Sequence, residues 1–149
     1  MVYYIKILTN KKDKAMQNEI KELISNYLIE KNLSGSCSIQ DNRFLSFKSR
    51  EEYGTIKKIR QHSIMYIEKK GHMVVLHTRN GVFSFYSSLK KLSEKLDPDA
   101  FVRVHQGYIV NVNEIKMVYT DYLSLISIDK PIPISRRNRG SLNKFTLPS

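Results

Sequence analysis

Residues 72–86 read HMVVLHTRNGVFSFY, two runs rich in β-branched and aromatic residues on either side of Asn80-Gly81. That dipeptide predicts a type I′ turn, which needs positive φ at both central positions and joins antiparallel strands in a tight hairpin. Downstream, SLKKLSEKL at 88–96 predicts a short helix with Ser87 or Ser88 as its cap and Leu89, Leu92 and Leu96 along one side. Asp97-Pro98 ends it. Short strands are predicted at 101–105, 108–112, 115–119 and 123–128, with turns at Asp121 and at Asp129 to Pro131. Residues 132–134 then lead into a basic tail, SRRNRGSLNK. Upstream, Ile56, Ile59, Ile64, Tyr66 and Ile67 continue the apolar series, with a strand near 64–68. Phe44, Ser46 and Lys48 open a further strand, followed by a polar turn from Glu51 to Gly54. The pattern is mainly β with short helices, of the α+β class.

The first forty residues follow a different rhythm. YYIKIL at 3–8 reads as a strand, and residues 13–31 have helical spacing, with Met16, Ile20, Leu23, Ile24, Tyr27 and Leu28 on one face. Asp13 suits the N-cap or the first turn, Asn32 to Gly35 stop the helix, and 36–40 reads as a second strand. The chain therefore divides into a strand–helix–strand segment at 1–43 and a β-rich domain at 44–149, with a soft boundary near 41–48.

Charge is the most informative bulk property. Lys and Arg number 25 against 14 Asp and Glu, a net charge of +11. Clustered cations gain free energy by displacing counterions from a polyanion, so nucleic acid is the first partner to consider and a solubilising surface the plain alternative. An anionic membrane surface is a third, but it is usually met by a basic amphipathic helix, and none is evident. No apolar run approaches the roughly 20 residues that span a bilayer, and Met1 to Thr9 reads as a strand, not a secretion signal. With the single cysteine, Cys37, which excludes an internal disulfide, the expectation is a cytoplasmic protein.

Catalytic constellations are missing from the sequence. The four histidines, His62, His72, His77 and His105, form no HExxH pattern and no His-Cys cluster. His72 and His77 are five apart and would face opposite sides of one strand. Neither a P-loop nor a GxGxxG is present, and Cys37 reads as a buried, inert thiol. We expect no enzyme, no metal and no cofactor. Basic residues instead recur at predicted strand ends: Lys69-Lys70, Arg79, Arg103, and Arg136, Arg137 and Arg139. From loops, such side chains reach phosphates, and Arg or Gln can read guanine or adenine edges in a groove. Helix-turn-helix, zinc-finger and leucine-zipper patterns are not evident, nor is the aromatic platform common in RNA binders.

Residues 64–138 carry a more specific pattern: YIE at 66–68, GHMVVLHTRNG at 71–81, Tyr86–Leu89 leading into the helix, FVRVHQGYIVNVNEI at 101–115, and IPISRRN at 132–138. This order resembles the LytTR DNA-binding domain of bacterial response regulators, with Phe-x-Arg-x-His and Ile-Val-Asn its most distinctive parts. The resemblance implies an elongated set of small β-sheets whose loops enter successive major grooves on one side of a duplex. It implies base contacts from His72, Gln106 and Arg137, and phosphate contacts from Ser88, Lys90, Ser135 and Asn138. Charge alone adds Lys70, Arg136 and Arg139 to the phosphate set. Arg103 and His105 lean toward a structural role, through hydrogen bonds that hold the loop. The implied partner is a promoter site on double-stranded DNA with repeated half-sites. A basic module that binds an acidic protein or a membrane inhibitor is the alternative.

Full regulators of this kind place a phosphoacceptor receiver before the DNA-binding domain. Residues 1–43 resemble only the opening strand–helix–strand of a receiver, with Thr9-Asn10 where receivers carry paired acids, and Asp41 on the wrong strand to replace the phosphoacceptor. The resemblance therefore implies no control by aspartyl phosphorylation. The segment is expected to form a homodimer contact, to dock a partner such as a membrane-bound inhibitor protein, or to cover the C-terminal domain.

Overall fold

The computed structural model describes residues 2–9, 14–41 and 43–146, so the side chains of Asp13 and Cys37 lie outside the described residues. Two compact units emerge, Met1–Arg43 and Phe44–Ser149. In the first, β1 (Val2–Thr9) and β2 (Ser34–Asp41) pair in parallel across helix α1 (Lys14–Glu30). Parallel pairing needs such a crossover because the second strand must start at the same end as the first. Of the six apolar residues predicted for one helix face only Leu28 is buried, while Leu23 and Tyr27 are 64% and 55% exposed.

The second unit begins with an antiparallel hairpin, β3 (Phe44–Lys48) and β4 (Ile56–Arg60). Leu45 and Phe47 point inward from β3, while Phe44, Ser46 and Lys48, which alternate with them, face outward. A five-stranded antiparallel sheet follows, in the order β7-β6-β5-β9-β8. Its strands are β5 (Ile64–Lys70), β6 (Met73–Thr78), β7 (Gly81–Tyr86), β8 (Phe101–His105) and β9 (Tyr108–Asn111). Between β7 and β8 lies α2 (Leu89–Lys95), capped by Ser88, whose Oγ accepts the Lys91 N–H at 3.2 Å. A three-stranded sheet of β10 (Ile115–Val118), β11 (Tyr122–Leu125) and β12 (Ile132–Pro133) comes next, and then α3 (Arg139–Thr146). The unit is mainly β with few helices, as its sequence pattern predicts.

Strand alternation sends the large sheet's side chains into two cores. One face puts Ile67, Val74, Leu76, Phe85 and Ile109 against Leu89 and Leu92 of α2 and against Leu45 and Phe47. The other puts Tyr66, Val102, Val104 and Val110 against Leu123, Leu125, Ile132 and Leu142 of the small sheet and α3. Two buried polar side chains tie the layers. Gln61 Oε1 accepts the Asp97 N–H at 3.0 Å while its Nε2 donates to the Lys95 carbonyl at 3.1 Å. Asn111 Nδ2 donates to the Ile64 carbonyl at 2.9 Å, and its Oδ1 accepts the Asn113 N–H at 3.0 Å. That second pair explains the Asn of the Ile-Val-Asn segment: it closes β9 and fixes the start of β5.

One local expectation needs correction. The hairpin turn is not type I′, because Asn32 is the only non-glycine with positive φ among the described residues. Thr78 pairs with Gly81, which puts Arg79-Asn80 at the tip and leaves Gly81 to take φ +139°. The Thr78 hydroxyl accepts the Asn80 N–H at 3.2 Å and donates to the Gly81 carbonyl at 2.7 Å. Meanwhile the Arg79 N–H bonds the Ser63 carbonyl at 3.0 Å. These bonds override the dipeptide preference. The basic tail ends in a helix, α3, which its sequence pattern does not announce. Gly140 and Ser141 give α3 poor intrinsic propensity, and burial of Leu142 and partial burial of Phe145 supply what propensity lacks.

Candidate nucleic-acid interface

Strand register gathers the predicted contact residues at one end of the five-stranded sheet. The β5–β6 turn carries Gly71 and His72, with Gly71 at φ +62°. Beside it lies the β8–β9 turn carrying Gln106, because Glu68 pairs with Tyr108 and the Lys69 N–H donates to the Gly107 carbonyl at 2.9 Å. Two strand spacings, about 10 Å, separate the midpoints of these turns. On the far side of β8, the Ser135 N–H donates to the Val104 carbonyl at 2.9 Å, which brings the Arg136–Asn138 turn to the same end. On the near side Met73 pairs with Tyr86, so Ser88 and Lys90 follow immediately from that end of β7.

His72, Gln106 and Arg137 are all exposed, as are Lys70, Lys90 and Arg136. Their turns are held from behind. Arg103 Nη2 donates to the Gln106 carbonyl at 3.0 Å, and His105 Nδ1 accepts the Gly107 N–H at 3.0 Å. Arg103 and His105 thus support the loop through hydrogen bonds. In the last turn, Ser135 Oγ accepts from the Asn138 side-chain amide at 2.8 Å and from its backbone N–H at 3.3 Å. Ser135 and Asn138 therefore hold each other. Arg139 Nη1 donates to the Tyr119 and Thr120 carbonyls at the β10–β11 tip, which leaves fewer of its donors for a phosphate than Arg136 or Arg137 keep. Arg79 is committed too, to the buried carboxylate of Glu114.

Sequence reasoning missed the group that underlies this end of the sheet. Glu68 is only 4% exposed. Its Oε2 accepts from Lys130 Nζ at 2.9 Å, and its Oε1 lies 3.0 Å from Lys70 Nζ and 3.6 Å from His77 Nε2. The Lys130 ammonium also lies 5.6 Å and 5.4 Å from the ring centroids of Tyr66 and Tyr108, and His77 stacks on Tyr66 at 4.1 Å. His77 is thus on β6 and inward, whereas His72 is in the turn, so the two share no site. Burial pushes the Glu68 carboxyl up, but the Lys130 and Lys70 ammonium groups outweigh it and bring its pKa down to about 2. Burial pushes the His77 imidazole below its ordinary 6.5, with Glu68 pulling partly the other way. A charged residue inside an apolar strand, YIEKK, was the available signal. Its partner Lys130 lies 62 residues away and could not be paired from sequence.

The cluster fixes a pH dependence. Both folded pKa values lie below the unfolded ones, so both groups stabilise the fold above those values and lose that contribution as pH falls. We expect the melting temperature to drop first as pH falls below about 6.5, where the unfolded chain's histidine takes up a proton that folded His77 resists. A second drop should follow between about 4.5 and 2 from Glu68. Glu68→Gln should flatten the lower limb in a pH series of thermal melts. A variant with an unaltered lower limb would show that Glu68 is not its source.

The second unit is a β-domain that presents exposed basic and polar turns at one end of its large sheet. The chain belongs to the LytTR family, whose model, the LytTr DNA-binding domain, matches residues 54–146. The structure is similar to a LytTr DNA-binding domain from Bacillus cereus, with a TM-score of 0.57 and 24% identity over 68% of this chain and 94% of that one. Among curated relatives, the transcriptional regulatory protein LytR of Staphylococcus aureus is 30% identical over 63 residues, 42% of this chain and 26% of that protein. The CO-responsive transcriptional regulator RcoM of Rhodospirillum rubrum is 38% identical over 53 residues, 36% of this chain and 22% of that protein. An uncharacterized response regulatory protein of Vibrio cholerae is 27% identical over 129 residues, 82% of this chain and 47% of that protein. The matches thus span from about a fifth to about half the length of these relatives. Among the described residues, no helix is long and apolar enough to cross a membrane, and no group of three His, Cys, Asp or Glu side chains is placed to hold a metal.

Proposed function

We propose that this chain is a transcription regulator that binds a specific site on duplex DNA, entering successive major grooves with the turns at one end of its large sheet. The observation that carries this reading is the convergence of the His72, Gln106 and Arg137 turns on that end, with the cations Lys70, Lys90 and Arg136 around them. In this reading His72, Gln106 and Arg137 meet base edges. Lys70, Ser88, Lys90, Ser135, Arg136, Asn138 and Arg139 meet the backbone. The β5–β6 and β8–β9 turns, which carry His72 and Gln106, lie about 10 Å apart, a spacing set by the strands and not by flexible chain. The family name and the regulatory relatives support the same reading.

Titration at fixed salt tests it: the chain is given a labelled native upstream duplex and challenged with unlabelled native or random duplex. We expect native duplex to compete well below the concentration at which random duplex does. Equal competition by every duplex would leave a non-specific basic module and contradict the proposal.

Aspartyl phosphorylation plays no part in this reading, because Thr9-Asn10 stand where a receiver carries its paired acids. A protein–protein role for the first unit is favoured by Leu23, Tyr27 and Ile29, exposed apolar residues on α1. A second copy of the chain and a membrane-bound inhibitor are its two candidate partners. Light scattering across a concentration series separates them, since only the first gives a dimer of the pure protein.

A further inference from the structure

The LytTr match begins at residue 54, after the β3 strand and most of the loop that joins it to β4. That loop carries Arg50, whose placement the duplex interface described so far does not use. Arg50 Nη1 donates to the Met73 Sδ at 3.0 Å, and its guanidinium lies 5.2 Å from the Tyr86 ring centroid. Met73 is the residue after His72, and Tyr86 is two residues before Ser88. Arg50 therefore sits between a proposed base contact and a proposed phosphate contact, at the same end of the sheet.

The chemistry of that seat favours an anion. A thioether is a weak acceptor and a ring face takes no conventional hydrogen bond, so most of the guanidinium's five donors have no strong partner there. The two contacts nonetheless fix the side chain's direction, which lowers the entropy lost when a phosphate binds. Neighbouring acid is partly answered: Glu51 Oε2 lies 3.4 Å from Lys57 Nζ. Lys48 is exposed at the adjoining strand end and adds to the positive field.

We propose that the β3–β4 loop adds a phosphate-binding arm to the duplex interface, on the His72 flank, with Arg50 as its cation. This rests on the duplex-binding reading above. Because a phosphate carries no base identity, the arm strengthens binding to all duplexes alike and does not choose among them.

The test compares wild type, Arg50→Ala, Arg50→Gln and Arg50→Lys on native and random duplexes over a salt series, with circular dichroism to check folding. Arg50→Gln removes the charge while keeping a polar N–H donor on a shorter side chain, so it serves if the alanine variant loosens the loop. Each phosphate contact contributes about 0.9 to the slope of log affinity against log salt. We expect the alanine and glutamine variants to lose about that much slope on both duplexes, and the lysine variant to regain it. A folded glutamine variant with the wild-type slope would overturn the arm, since a loop staple alone changes stability and not slope. Arg137→Ala run beside them separates the two claims: if wild type shows no site preference for Arg137→Ala to remove, the duplex-binding reading itself fails.

Discussion

Arg137→Ala is expected to weaken binding to the preferred duplex by about 1–3 kcal/mol while leaving binding to random duplex nearly unchanged. The asymmetry follows from the role proposed for Arg137. A planar guanidinium donating two parallel bonds to a guanine edge discriminates between bases, whereas a phosphate contact does not. Arg136→Ala, one residue away and also exposed, should weaken both duplexes by a similar factor. The Ser135–Asn138 bonds fix the turn without either arginine, so the two substitutions should leave the fold intact. Competition titration of both variants reads the difference, and a like effect on both duplexes from Arg137→Ala would move Arg137 to the phosphate set.

The larger effect on stability is expected at Ile67, which is fully buried at the centre of β5 between Leu76 and Ile109. Ile67→Ala removes three carbons from a close-packed layer that also holds Val74 and Leu89. Such deletions cost about 2–5 kcal/mol through lost transfer free energy and the cavity left behind. A domain of this size has a total stability of roughly 5–15 kcal/mol, so the loss is a large fraction of the whole. Ile56, 67% exposed on β4, is the control: Ile56→Ala should change stability by no more than about 0.5 kcal/mol. Chemical denaturation of both variants decides the matter. Equal midpoints would mean that Ile67 is not at the centre of the core.

Elements whose signals are local were legible in the sequence. The hairpin 72–86, the capped helix at 89–95 and the short strands after it lie where β-rich runs and turn residues put them. Features decided by tertiary contacts were not. The turn at Arg79-Asn80 obeys the Thr78 hydroxyl, the Ser63 carbonyl and Glu114, not the Asn-Gly preference. Helix α3 is held by the burial of Leu142 in the core beside β8, although Gly140, Ser141 and Asn143 lower its intrinsic propensity. The apolar spacing of α1 is real, yet periodicity says only which residues share a face and nothing of what covers it.

The candidate site divides in the same way. Exposed turn residues such as His72, Gln106 and Arg137 came from a family resemblance that spans seventy-odd residues, which physics alone did not supply. Their supports are different: Arg103 and His105 bond within two or three residues and could be suspected from sequence. Glu68 and Arg50 act across distances of 62 and 23 residues, on Lys130 and Met73, and needed the fold to be seen.

One end of the five-stranded sheet is the proposed duplex-binding edge. It is tested most directly by backbone amide NMR of the protein during addition of the preferred duplex. Shifts are expected to concentrate at Gly71–Met73, Gln106–Gly107, Ser87–Lys90 and Ser135–Arg139, with the opposite end of the same strands, including Arg79 and Asn80, little changed. Shifts centred instead on the Arg79-Asn80 turn or on the exposed face of α1, with His72, Gln106 and Arg137 unaffected, would contradict it.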